Sequence, residues 1–390
     1  MTHRFQDRGG LRVGTLLGIL LTIILSSGCR PAQLRMPDVK LRPSLTLPMP
    51  PIRPGANGKP ADRLDVLAVA FRPGQDQVAA GYSDGRVRLW DVGARKVIHE
   101  FDYGHEVRAV AFSADGRKLA AAGGSYSDDP DKPGPIRIWD IASNTFELEL
   151  RGRRGPVDAL AWSGGAKSLI AASCFYGEQR IYVWDAATGK PVEQFSAGVG
   201  GDPSLSFTDN GRYLCVGGAA RIYDVSSNKA GHFMEVPLGK VGSVTALPGI
   251  DHCYGVIPSA VEQLWPLCIV HGCGRASELW SGTLAGTGKR KSWFLPAQLD
   301  GSPRIASNET ANLLAISEPT GRSAVLIWNA RSDSIAAALI AESDSRLSDA
   351  RFDEHATRAV AADRAHGAVC LWDLTAINRS GDAASNPLVK

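Results

Sequence analysis

The sequence lacks the signatures by which many enzymes announce themselves. No GxSxG elbow, Walker loop, HExxH pair or dinucleotide-binding glycine fingerprint occurs in a matching context, so no nucleophile stands with its base and no phosphate cradle is indicated. Cysteine is used seven times, but not in a zinc pattern. Cys253, Cys268 and Cys273 sit near His252 and His271, and the C-x2-H-x-C spacing is neither a standard zinc set nor a haem-attachment motif. The alternatives for these three cysteines are a disulfide, buried thiols and a metal site, and an exported location favours the disulfide. Cys174, Cys215 and Cys370 lie on apolar strands and read as small core residues. The acidic run Asp128-Asp129-Pro130-Asp131 matches no EF-hand loop and reads as a solvated loop.

Acidic residues are scarce at the start of the chain. Residues 1–60 carry nine Lys or Arg against Asp7 and Asp38, a balance of +7, which leaves −4 for the rest of a chain whose net charge is +3. The basic excess lies ahead of the regular part, so nucleic acid is not expected as a partner. Within that basic stretch, 13–25 is an apolar run interrupted only by Gly and Thr. Thirteen residues are too few for a comfortable membrane span but suit a signal-peptide core. No arginine pair precedes the run, so twin-arginine export is not suggested. The run leads directly into Ser26-Ser27-Gly28-Cys29. This resembles a bacterial lipobox, with Leu25 one position early and Ser26 in the slot usually filled by Leu. The resemblance implies that Cys29 is lipidated and becomes the new N-terminus; an uncleaved anchor and a plain cleaved signal are the alternatives. Proline then recurs without periodicity at 31, 37, 43, 48, 50, 51 and 54, as in a solvated extended stalk.

What the chain has in quantity is one repeated run. RVRLWD ends at Asp91, IRIWD at Asp140 and RIYVWD at Asp185, with weaker copies RIYD, ASELWS, AVLIWN and AVCLWD ending at 224, 281, 329 and 373. The aromatic positions 90, 139, 184, 223, 280, 328 and 372 have a mean spacing of 47. Between them, apolar strands such as Val66–Phe71 and Val107–Phe112 alternate with Ala-rich strands and Gly/Asp turns such as SADGRK at 113–118. A period in this range, with one strand ending in an aromatic and Asp, resembles the WD-repeat family over roughly 64–374, and the resemblance implies an all-β, seven-bladed propeller. Trp90, Trp139, Trp184, Trp328 and Trp372 are then expected in the core. Blade five is uncertain in its strands, because Trp265 competes with Trp280 as its marker, and the upstream candidate for the ring-closing strand is 44–47. The expected organisation is a signal peptide over 1–28, a Pro-rich basic linker over 29–63, the propeller over 64–374 and a polar tail over 375–390.

In the WD-repeat family a Gly-His, a Ser or Thr, a turn Asp and the Trp often tie each blade together. Here Gly104-His105 matches the first pair and Asp84 the turn Asp, while most blades lack the set. Three connections between second and third strands read as enlarged, at 124–135, 174–179 and 259–275, and in a propeller these emerge on one face. They bring Tyr126, Asp128, Asp129, Asp131, Phe175, Tyr176, Trp265 and His271 to one side, a candidate partner-binding face. Family resemblance implies protein binding more than catalysis, so the expectation is a non-enzymatic, monomeric ring without cofactor or resident metal. It would be tethered to the cell envelope through Cys29, facing away from the cytoplasm and docking an unidentified protein partner. The alternative is a propeller enzyme or ligand-binding protein using the central channel, which would need polar groups converging there.

Overall fold

A computed structural model describes residues 34–50, 64–124, 135–150, 156–163, 169–176, 178–198, 204–208, 212–217, 221–224, 233–235, 243–247, 252–257, 278–283, 291–296, 304–317 and 324–377. Each repeat folds as an antiparallel meander whose third strand carries the WD-like run, and the hairpin after that strand explains why the run ends as it does. The carboxylate or amide of Asp91, Asp140, Asp185 and Asn329 accepts from the backbone N–H three residues on, at 2.7, 2.8, 2.8 and 3.1 Å. Such a side chain mimics a backbone turn. The next residue, Arg95, Asn144, Gly189 or Asp333, is left-handed, with φ of 54°, 54°, 69° and 49°. A turn of this kind followed by a left-handed residue matches the twist of the two strands that it joins. The tryptophans at the ends of the WD-like strands, Trp90, Trp139, Trp184, Trp328 and Trp372, are all buried.

The sheets pack side by side through their first strands. Val66–Phe71 contacts Val107–Phe112, which contacts Val157–Trp162, and the series continues through Leu205–Thr208, Ser243–Leu247, Arg304–Asn308 and Leu347–Phe352 back to Val66–Phe71. The ring is thereby closed. The expected count of seven blades is corrected by the sheet topology: the structure shows six four-stranded blades, not seven. The remaining sheet, built on Arg304–Asn308, departs from the blade form with five strands. Its extra strand, Lys40–Leu41, lies parallel to the outer strand Ser334–Ile340, with Lys40 opposite Ala338 and Leu41 opposite Leu339. The physical reason is an open edge: the outward-facing N–H of Ala338 is satisfied by Val39 O at 2.9 Å as the chain passes.

From there the same segment crosses to the neighbouring blade. Leu45–Leu47 pairs antiparallel with Ala368–Asp373 as that blade's outer strand. The upstream candidate for ring closure is therefore the strand that closes it, and it lies within the stretch expected as linker. Leu34 and Met36 pack against the core around Trp328, and Leu47 is buried beside Val369 and Leu371. In the fifth repeat the strands are Ser243–Leu247, His252–Ile257, Glu278–Thr283 and Lys291–Phe294, so Trp280 lies on the third strand, and Trp265 is outside the described residues.

Candidate functional site

The first strands surround a central channel, and a repeated irregularity decides what lines it. In three of them the register slips at the second residue: between Val66 and Ala68, Val107 and Ala109, and Val157 and Ala159. A bulge of this kind takes a residue out of strict alternation and re-aims its side chain. In the last blade the slip falls between Ser348 and Arg351, where Asp349 has φ of 47°. Arg108, Asp158, Asp349 and Arg351 thereby line one mouth of the channel together with Ser204, Ser206 and Arg304.

The charges there are arranged in depth. Asp349 is buried, and both its oxygens are engaged: Oδ2 accepts from the Val69 N–H at 2.8 Å, and Oδ1 lies 2.7 Å from Arg351 Nη2. The Asp158 side chain is 7% exposed, with Oδ1 3.7 Å from Arg108 Nη1. Arg108 also donates through Nη2 to Glu106 at 3.0 Å and through Nε to Gly124 O at 3.0 Å. The guanidiniums of Arg108 and Arg351 are 30% and 39% exposed, against 7% for the carboxylates of Asp158 and Asp349. Asp158 and Asp349 thus lie beneath their guanidiniums, while Glu106 stays exposed beside Arg108. Ser204 Oγ donates to Ser243 Oγ at 3.0 Å, which itself accepts from the Ile305 N–H at 3.0 Å, so three successive repeats are tied together at the mouth. Ser206 Oγ is buried without a hydrogen-bond partner among the described residues.

This mouth lies on the side of the second-to-third connections. Val107 pairs with Gly123, Val157 with Cys174, Leu205 with Val216 and Arg304 with Ser317, so the start of each first strand sits beside the end of the second. In sequence, the inner strands Val66–Phe71 and Val107–Phe112 offer no converging His or carboxylates. The missed signal was a charged residue second in its strand, Arg108 and Asp158, in two successive repeats.

Of the residues expected on a partner face, Tyr126, Asp128, Asp129, Asp131, Trp265 and His271 lie outside the described residues, as do Cys29, Cys268 and Cys273. Cys253 is buried on His252–Ile257. Phe175 and Tyr176 fall on the strand Leu169–Tyr176, paired with Gln179 and Glu178. What reads in sequence as an enlarged loop at 174–179 is therefore a ladder extended almost to its tip.

Two further clusters carry polar chemistry. Arg88 is buried against Asp84, with Nη2–Oδ2 at 2.6 Å and Nη1–Oδ1 at 3.2 Å, while Nε reaches Glu100 at 3.0 Å. Asp84, expected as the turn Asp of a tetrad with a Gly-His, is thus held by an arginine of its own blade. Glu342, Asp344 and His366 bring one donor atom each within 4.8 Å of one another, all on exposed residues. His366 Nδ1 donates to Asp363 Oδ2 at 2.8 Å, and Nε2 lies 3.4 Å from Asp344, so ion pairing accounts for the approach of His366 to Asp344.

Comparison with known proteins agrees with the repeat architecture. The WD40 family, described as "WD domain, G-beta repeat", matches residues 59–91 and 95–129. THO complex subunit 3 of Arabidopsis thaliana is 31% identical over 129 residues, covering 31% of this chain and 38% of that protein. F-box-like/WD repeat-containing protein TBL1X of Mus musculus is 26% identical over 146 residues, covering 34% of this chain and 25% of that protein. F-box-like/WD repeat-containing protein TBL1Y of Homo sapiens is also 26% identical over 146 residues, covering 34% of this chain and 26% of that protein. The chain thus spans well under half the length of these relatives. It carries WD40 repeats, and they lie in its first two blades.

Proposed function

We propose that this protein is a membrane-tethered, extracytoplasmic scaffold that docks a protein partner on the face bearing the second-to-third connections and the channel mouth. The observation that carries the reading is the hydrogen bond from Arg108 Nε to Gly124 O, which joins a channel-mouth side chain to the start of the 124–135 connection. The end of the second strand and the channel mouth adjoin on this side of a closed ring, and a rigid scaffold presenting variable loops is how binding sites are commonly built. The tether is Cys29, lipidated after removal of 1–28, and the partner is a protein. This accords with the WD40 repeats, though fold likeness alone is an associational warrant. Replacing 124–135 with a short Asn-Gly turn should weaken capture of the partner from detergent-solubilised membranes. Altering 185–190, on the opposite side of the ring, should leave it intact. Disruption by the opposite-side change alone would place docking elsewhere.

A further inference from the structure

The N-terminal segment that crosses the outer strands of two sheets also fixes where the tether leaves the ring. We propose that the ring rests on the lipid surface by the end of the five-stranded sheet that carries the 329–334 turn, so that the channel mouth faces away from the membrane. This deepens the tethered-scaffold reading above and rests on it.

The direction of the segment carries the inference. In the five-stranded sheet Ala324 pairs with Ile340 and Asn329 with Ser334, so the strand Ser334–Ile340 starts beside the 329–334 turn and ends on the mouth side. Lys40–Leu41 runs parallel to that strand, with Lys40 opposite Ala338. Traced back from Lys40, the chain therefore heads toward Ser334 and away from the mouth. Its packing agrees. Leu34 and Met36 lie against the cluster that holds Trp293, Trp328, Ala330 and Ile335, and the last three flank the turn. Five steps of chain separate Leu34 from Cys29, and fully extended they span about 18 Å. The seven residues of Ser334–Ile340 rise by about 20 Å. A tether leaving beside Ser334 is thus too short to run the height of the sheet and seat Cys29 in a membrane at the mouth end. Charge does not decide the matter: Arg35 and Arg331 are exposed near the turn end, but so are Asp38 and Glu309, and Lys291 pairs with Asp333 at 2.6 Å. Attraction to anionic headgroups is therefore secondary to the length of the tether.

The test uses the full-length protein in vesicles of mixed phosphatidylethanolamine and phosphatidylglycerol. A benzophenone amino acid replaces either Ser332 or Ser343, exposed residues just beyond opposite ends of Ser334–Ile340, with unchanged thermal melting as the check on folding. After irradiation, mass spectrometry should find several-fold more lipid adduct at 332 than at 343. Equal adducts, or more at 343, would overturn the orientation. Inserting about 20 Gly and Ser residues between Ala32 and Gln33 adds a flexible reach of roughly 25 Å. Adducts at 332 should then fall to the level at 343 while the protein still floats with the vesicles. Undiminished adducts at 332 would reject the short tether as the cause of the seating. The anchor itself has a separate readout, because Cys29→Ser should lose flotation. Flotation through Cys29 with equal adducts at the two positions would keep the tether and reject the orientation, whereas a Cys29→Ser protein that floats like the wild type would reject the tether and this inference with it.

Discussion

Trp372 Nε1 donates a hydrogen bond to Leu41 O at 3.1 Å, joining residues 331 positions apart. The indole belongs to the blade that closes the ring and the carbonyl to the parallel strand on the adjacent sheet, so one contact staples two sheets through the N-terminal segment. Ser44 N–H donates to Leu371 O at 2.8 Å in the same crossing. The pairing covers the outer edge of Ala368–Asp373 and leaves only the short strand Leu45–Leu47 outermost at the seam.

Stability should therefore depend on this segment. Leu47 is fully buried against Leu64, Val369 and Leu371, and Leu47→Ala is expected to cost about 2–5 kcal/mol, as for other buried leucines. Denaturant melts of the variant measure it. A loss under about 0.5 kcal/mol, the range of ordinary surface changes, would show that the ring holds without its closing strand.

The buried Arg88–Asp84 pair makes an asymmetric prediction. Asp84→Ala leaves a buried guanidinium with Glu100 and the face of Tyr82, 4.6 Å from the ring centroid. It should destabilise by about 3–5 kcal/mol, because the buried guanidinium loses the partner of both its Nη atoms and keeps only Glu100 at Nε. The double change Asp84→Leu with Arg88→Met should recover much of that loss, since well-packed apolar replacements of buried pairs are often neutral. Equal losses in single and double variants, measured by urea unfolding, would argue that packing of Arg88 against Tyr82 matters more than its charge.

His366 and Asp363 predict a pH dependence. The hydrogen bond to Asp363 raises the His366 pKa, burial opposes it, and the charges of Asp363, Asp344 and Glu342 add to the rise. Burial pushes the Asp363 carboxyl up, but donors from His366, the Arg346 N–H and Ser345 outweigh it and hold the group below its ordinary value. A raised histidine contributes stability that is complete below about pH 6.5 and is lost as pH rises through its folded value. The depressed aspartate contributes above the ordinary carboxylate value, and that part is lost only in strong acid. Because the His366 side chain is 38% exposed, water screens the pair, and the effect should be about 1–2 °C in melting temperature between pH 5.5 and 8.5. His366→Gln should remove this part of the pH dependence; an unchanged profile would dissociate His366 from it.

The proposed tether is tested by mass. The mature protein should begin at Cys29 and carry acyl groups, since two or more chains at one residue anchor stably where a short apolar segment does not. An N-terminus at Met1, or a Cys29→Ser protein that fractionates with membranes like the wild type, would reject lipidation.

The repeat was legible because its causes are local. An aromatic closing an apolar strand and an Asx side chain capping the next turn stand side by side in RVRLWD, IRIWD and RIYVWD, and the left-handed residue, Arg95, Asn144 or Gly189, follows four positions after the Asp. The buried tryptophans follow from that spacing and from strand alternation alone.

The channel mouth was not legible for the converse reason. Arg108 and Asp158 line it because a bulge breaks alternation, and whether a strand bulges depends on its neighbours around the axis, not on its own pattern. Residue count likewise did not reveal that one sheet would take a fifth strand, since Lys40–Leu41 pairs with an edge formed some 300 positions later. By itself, the sequence determined the strands, their turns and which aromatics go inside, since these rest on interactions a few residues apart. Only the tertiary structure decided the six four-stranded blades, the stapled seam and the depth ordering of charge at the channel. Each of these arises from strands brought together by ring closure, whose partners no local pattern specifies.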